Sequence, residues 1–219
     1  MDSGQLEKPK PGVVKAEVSA PTAGVKRQRD EADEDNLKED SGHDGKKLKG
    51  TLSKDIKGEK QADGSIVFDL SSKKQVTVRA WKSAILVDIR EYYDSNGEKK
   101  PGKKGISLTK EQWKAVVTLA DDIDTAVSWV QDSDSVSGGY EADTLDDVES
   151  GSVAFALSGK RRATVRKFKA MVLIDFREYY DASGVMKPGQ KGISLTKDQW
   201  RMLKDRFDAI AAAMLDVAS

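Results

Sequence analysis

Between Gln75 and Trp81 apolar and polar residues alternate, with Val76, Val78 and Ala80 on one face and Thr77, Arg79 and Trp81 on the other. That period of two predicts a strand with one face on a core and one basic, aromatic face turned out. The pattern returns with Ala163 and Val165 inward and Thr164, Arg166 and Phe168 outward, weakening at Lys167 where the first stretch has Ala80. Ile66-Val67-Phe68 predicts a short strand ahead of it, and Ala84 to Tyr93 a long one rich in branched residues. Asn96-Gly97, and Ser183-Gly184 downstream, supply the positive backbone angles of a tight hairpin. After a fourth strand the period changes. Thr109 with Gln112, and Thr196 with Gln199, form capping-box starts of helices. Trp113, Val116, Val117, Ala120, Ile123 and Val127 then fall on one helical stripe, as do Trp200, Leu203, Phe207, Ile210 and Met214.

These two sets of elements are one set written twice. ILVDIREYYDSNGEKKPGKKGISLTKEQW recurs as VLIDFREYYDASGVMKPGQKGISLTKDQW, with Arg90 matched by Arg177 and Trp113 by Trp200 at a constant offset of 87 residues. A period that long, free of insertions, predicts two domains of one kind. The fold class is α+β: two tandem repeats, each a four-stranded antiparallel sheet followed by a C-terminal helix. The expected boundaries are a charged, disordered tail over 1–62, a first repeat over 63–127, an acidic linker over 128–149 and a second repeat over 150–216. Each stripe is longer than one small sheet can cover, so its far end is expected to pack on another copy. Pairing within the chain and pairing between chains both satisfy that demand.

Charge sharpens the division. The 219 residues are formally neutral, yet residues 63–120 carry 11 basic against 7 acidic residues and 151–219 carry 13 against 7, while 121–150 hold 10 acidic residues and no basic one. Two polyanion-binding surfaces separated by an acidic strap would give this segregation, and so would a solvated linker between soluble domains. The tail shows no apolar period and cannot bury enough surface to fold. Its basic clusters, Lys26-Arg27-Gln28-Arg29 and Lys46-Lys47-Leu48-Lys49, fit nuclear import signals as well as an ordinary charged tail, and Ser41 lies among acidic residues that would suit phosphorylation. With no Cys, no apolar leader and apolar runs of only a few residues, the expectation is a soluble protein of a reducing compartment, outside any membrane.

The segments Val87 to Tyr93 and Ile174 to Tyr180, the loops KPGKKGISL and KPGQKGISL, and the two T-K-[ED]-Q-W helix starts together resemble the positive cofactor 4 family of RNA polymerase II transcriptional coactivators. The resemblance covers roughly 63–127 and 150–216. It implies a curved four-stranded sheet plus helix that dimerises and binds single-stranded or melted DNA through basic and aromatic sheet residues. Most family members carry one copy per chain, so the tandem form is a departure. On matching positions the resemblance implies DNA contact at Trp81 and Phe168 with the following Lys82 and Lys169, at Arg90 and Arg177, and at Tyr93 and Tyr180 in place of a strand-end Trp. It implies the same for loop residues Lys100, Lys104, Lys187 and Lys191, and for the hairpin residues Lys74 and Arg161. A further family Lys is replaced by Ala84 and Met171, and Lys103 by Gln190 downstream. Arg79 and Arg166 join the set by sharing the outward face of the rings.

The chemistry suits the task on its own terms: a single strand offers base faces and a line of phosphates, so its binder needs rings and spaced cations. Trp113 and Trp200, on apolar stripes, are assigned to the core, Tyr92 and Tyr179 to structure, and Asp88 and Asp175 to an Arg partner. A regular strand would put Arg90 and Tyr93 on opposite faces, so a bulge or bend is expected between them. No catalytic, metal or cofactor constellation lies in a folded segment, and a non-enzyme is expected. A nuclear coactivator that grips single-stranded DNA is thus the first reading, with RNA not separated from DNA. The second is an adaptor for transcription factors or the polymerase machinery, working through its helices and acidic linker.

Overall fold

The computed structural model describes residues 57–132, 140, 145 and 148–218. The import-signal candidates, Ser41 and most of the acidic linker over 128–149 lie outside the described residues. In the first repeat, strands β1 (Glu59–Lys60), β2 (Ile66–Asp69), β3 (Lys74–Trp81), β4 (Ala84–Ser95) and β5 (Glu98–Thr109) form an antiparallel meander in that order. In the second, β6 (Val153–Ser158), β7 (Arg161–Phe168), β8 (Met171–Ala182) and β9 (Val185–Thr196) do the same. Helices α1 (Lys110–Thr118) and α2 (Ala120–Asp132) follow the first sheet, α3 (Lys197–Lys204) and α4 (Phe207–Asp216) the second. No helix among the described residues is long and apolar enough to cross a membrane.

Local chemistry sets the turns and helix starts. Asn96 and Gly97 take φ of 59° and 81°, and Ser183 and Gly184 take 59° and 84°. Each turn is tied by an aspartate: Asp94 Oδ1 accepts from Gly97 N–H at 3.0 Å, and Asp181 Oδ1 from Gly184 N–H at 2.8 Å. Both capping boxes close, with Gln112 Oε1 accepting from Thr109 N–H at 3.0 Å and Gln199 Oε1 from Thr196 N–H at 3.1 Å.

Four expectations need correction. β1 lies inside the span assigned to a disordered tail; its two residues pair with Val67 and Ile66, since the outer edge of β2 is otherwise unpaired. The single helix of each repeat is two, bent at Leu119 and at Asp205–Arg206. Neither bend contains Pro or Gly, and Ile123 N–H donates to Leu119 O at 2.9 Å, so the chain turns without stopping. α2 also runs to Asp132, five residues past the expected end of its repeat. Ala80, expected in the core, is exposed because the tip of the β3–β4 hairpin extends past the helices.

The bends have a tertiary cause. α1 packs on β4 and β5 of its own sheet and on β6 of the other, while α2 crosses to β7 and β8; α3 covers β8 and β9, and α4 crosses to β3. Each repeat thereby lends part of its helical cover to the other, and β5 runs beside β9. One continuous core results, from Phe68, Val76 and Ile89 through Trp113 and Ile123 to Phe155, Phe176, Trp200 and Ile210. Trp113 and Trp200 are both buried there, each with an edge-on ring contact to Phe207 at 5.4 and 6.0 Å. The repeats pair within the chain.

Polar contacts fix that pairing in duplicate. Lys74 Nζ donates to Ser194 O at 3.0 Å and Gln199 Oε1 at 3.1 Å. The equivalent Arg161 donates to the equivalent Ser107 O and Gln112 Oε1. Each capping-box glutamine thus serves its own helix and the opposite sheet. The contact of Asp124 is not duplicated. Asp124 on α2 accepts from Trp200 Nε1 at 2.7 Å and from Lys204, whereas the residue at its place in the second repeat is Ala211. Tyr140 is anchored as well, packing edge-on against Trp129 and Phe155 with its hydroxyl donating to Asp122 O at 3.0 Å.

Candidate nucleic-acid interface

With helices on one side of each sheet, the other side is open. In the first repeat it forms a groove of about 1460 Å³ whose lining includes Thr77, Arg79, Asp88, Arg90 and Tyr92. The alternation of β3 puts Trp81 in line with Thr77 and Arg79, and at the hairpin end the ring is 56% exposed. The Arg79 guanidinium sits 5.2 Å from its centroid. At the matching end of β7, Arg166 lies 5.5 Å and Lys169 Nζ 5.2 Å from the half-buried Phe168 ring. A cation on a ring face is weakly attracted by the ring quadrupole and holds the ring in place. Lys82 and Lys169 follow the rings in the turn itself, at φ of 56° and 54°. A long side chain in that left-handed region carries strain of about 1 kcal/mol, and it occurs at the same position in both repeats.

Arg90 and Arg177 shape the grooves from within. Arg90 donates through Nε and Nη2 to both oxygens of Asp88 (2.8 and 3.0 Å) and through Nη1 to Gly102 O at 3.0 Å. Arg177 repeats this with Asp175 and Gly189 O. The hydrogen-bonded Asp88 carboxylate raises the Arg90 pKa further above its ordinary value, so its charge is permanent. Each arginine braces the point where the sheet breaks register, between Arg90 and Tyr92 and between Arg177 and Tyr179. The close approach needs glycine: a Cβ at Gly105 would stand 2.9 Å from Arg90 Cζ, and one at Gly102 would stand 2.9 Å from Glu91 O.

The expected bulge is therefore present, but its extra residues belong to β5 and β9, so the alternation of β4 and β8 continues unshifted. Tyr92 shares the groove with Arg90, while Tyr93 and Tyr180 stand on the long hairpin arms, 55% and 52% exposed and directly across from Lys100 and Lys187. Lys82, Lys100, Lys169, Lys187 and Lys191 are exposed, and Lys104 is half-buried. Lys74 and Arg161 are corrections to the expected set. Lys74 has the parity of Val76 and Val78, so its ammonium points to the helix side, where it holds the opposite repeat; Arg161 does the same.

The family model for "Transcriptional Coactivator p15 (PC4)" matches this chain twice, over residues 68–119 and 155–206. The chain belongs to the PC4 family. Among curated relatives it is 44% identical over 68 residues to the RNA polymerase II transcriptional coactivator KIWI of Arabidopsis thaliana, covering 31% of this chain and 64% of that one. It is 49% identical over 63 residues to the coactivator SUB1 of Saccharomyces cerevisiae, covering 28% and 22%. The chain thus spans less than two thirds of either relative. A solved MoSub1–ssDNA complex aligns at 31% identity with 38% of this chain and 95% of its own, with a TM-score of 0.31.

Reading the two PC4 repeats side by side exposes groove residues that sequence reasoning passed over. Arg162, the counterpart of Gln75, lies 4.4 Å over the Tyr179 ring and is buried. Its place in the 162, 164, 166, 168 alternation was the available signal. Thr77 and Thr164, at equivalent floor positions, are buried, and their hydroxyls lack a hydrogen-bond partner.

Proposed function

We propose that this chain is a single-stranded DNA binding transcriptional coactivator, acting in the nucleus to hold melted or single-stranded DNA in support of RNA polymerase II transcription. The observation that carries this reading is Trp81, an exposed ring flanked by Arg79 and Lys82 at the end of an open sheet and echoed by Phe168 with Arg166 and Lys169. Such rings take up bases by stacking, at roughly 1–3 kcal/mol each, with little regard for base identity. Arg79, Lys82, Lys100, Lys104, Arg166, Lys169, Lys187 and Lys191 give the phosphates a line of cations, with Tyr93 and Tyr180 as further flat surfaces on the arms. Arg90 and Arg177 contribute charge while holding the groove walls. Membership in a coactivator family and the names of the relatives support the same conclusion.

The test is fluorescence anisotropy of a labelled thymine-rich strand and of its matched duplex over a series of salt concentrations. Preference for the single strand, with a log–log slope of about −0.7 per phosphate neutralised, is the expected result. Equal, weak binding to both would sink the proposal.

A further inference from the structure

The two grooves are built on one plan and differ at their floors. A cross-strand row reads Asp69, Gln75, Arg90 in the first repeat and Ala156, Arg162, Arg177 in the second. The first row is formally neutral and the second carries two positive charges. In the first, Gln75 Nε2 donates to Asp69 Oδ1 at 2.8 Å, and Lys99 Nζ lies 3.8 Å from the same oxygen. One carboxylate thus engages the row's amide and a nearby cation. In the second, the aspartate is an alanine and the amide is a guanidinium laid flat on Tyr179. A charge set in the buried floor is screened less than one on an exposed arm, so this difference outweighs the exposed Lys99 and Lys103, whose counterparts are Met186 and Gln190.

The rings differ in the opposite sense. Trp81 pairs across the hairpin with Ala84 and carries one cation, Arg79; Phe168 pairs with the larger Met171 and is approached by two, Arg166 and Lys169. The larger and more exposed ring stands over the neutral floor, and the smaller, half-covered one over the charged floor.

We infer that the grooves divide the binding of a single strand: the first repeat holds it mainly by base stacking, the second mainly by phosphate contact through Arg162. This rests on the reading of the sheets as nucleic-acid binding surfaces. It follows that Trp81 and Arg162 act on different quantities, the first on affinity at a constant salt slope and the second on the slope itself.

The experiment uses the full chain, a labelled oligothymidine and a salt series. W81A weakens binding roughly five- to 150-fold and leaves the log–log slope unchanged. R162Q makes the slope shallower by about 0.7, and R162K, which keeps the charge, leaves it in place. The reciprocal change in the first repeat, D69A with Q75R, steepens the slope, which keeps the inference testable should R162Q fail to fold. If wild-type protein prefers the single strand but neither R162Q nor the reciprocal pair changes the slope, the division of labour is wrong and the function stands. If wild-type protein shows no such preference, both fall.

Discussion

Asp88 and Arg90 illustrate how much of this site is structural support. Asp88 accepts two bonds from Arg90 and a third from Ser107 Oγ, holding the guanidinium against Gly102 O where β5 breaks register. Asp88→Ala is expected to cost about 2 kcal/mol of stability, read by urea denaturation, since it strands a half-buried cation. Lys82→Gly is a contrasting case. Relief of the left-handed backbone and the added freedom of the unfolded chain each amount to about 1 kcal/mol with opposite sign, so stability should stay within about 0.5 kcal/mol while single-strand affinity falls. A large loss of stability would show that the Lys82 side chain holds the turn together. Residue chemistry that acts over a few positions was legible in the sequence: the Asn96-Gly97 turn, both capping boxes, and the exposure of Trp81 through its parity with Arg79. Lys74 was not, because its partners Ser194 and Gln199 lie in the other repeat and no local pattern records them. Arg162 was open to the same parity argument as Arg166 and was missed for lack of it.

Among the elements, the bent helices carry the most consequence. Stripe length alone showed that each helix exceeds its own sheet. The bend at Leu119 had no sequence mark, since it follows from where the opposite sheet lies and not from a breaker residue. Gln199 closes the α3 capping box and also receives Lys74, so Gln199→Ala should cost about 2 kcal/mol, against about 1 kcal/mol for a cap with a single role. Thermal denaturation of Gln199→Ala beside a Thr196→Ala control would separate the two; equal losses would mean that the Lys74 contact adds nothing. The short β1 was equally illegible, being two residues long and defined only by the edge it covers.

For the whole molecule, exchange of α2 and α4 between sheets joins the repeats into one core, which predicts a single cooperative unfolding transition. Because the partners share a chain, the midpoint should not move with protein concentration, and light scattering should give a monomer of 24.0 kDa. A midpoint that rises with concentration, together with twice that mass, would show that the repeats exchange between chains.

Asp124 shows what joining the partners makes possible. In a pair of identical subunits every substitution occurs on both sides of the axis, so a half-buried carboxylate such as Asp124 must find two sets of donors or remain unmatched in one. Here the acid faces Trp200 and Lys204, while across the pseudo-axis Ala211 stands in its place. Covalent linkage releases each half from mirroring the other, and a mutation can be tried at one groove while the second keeps working.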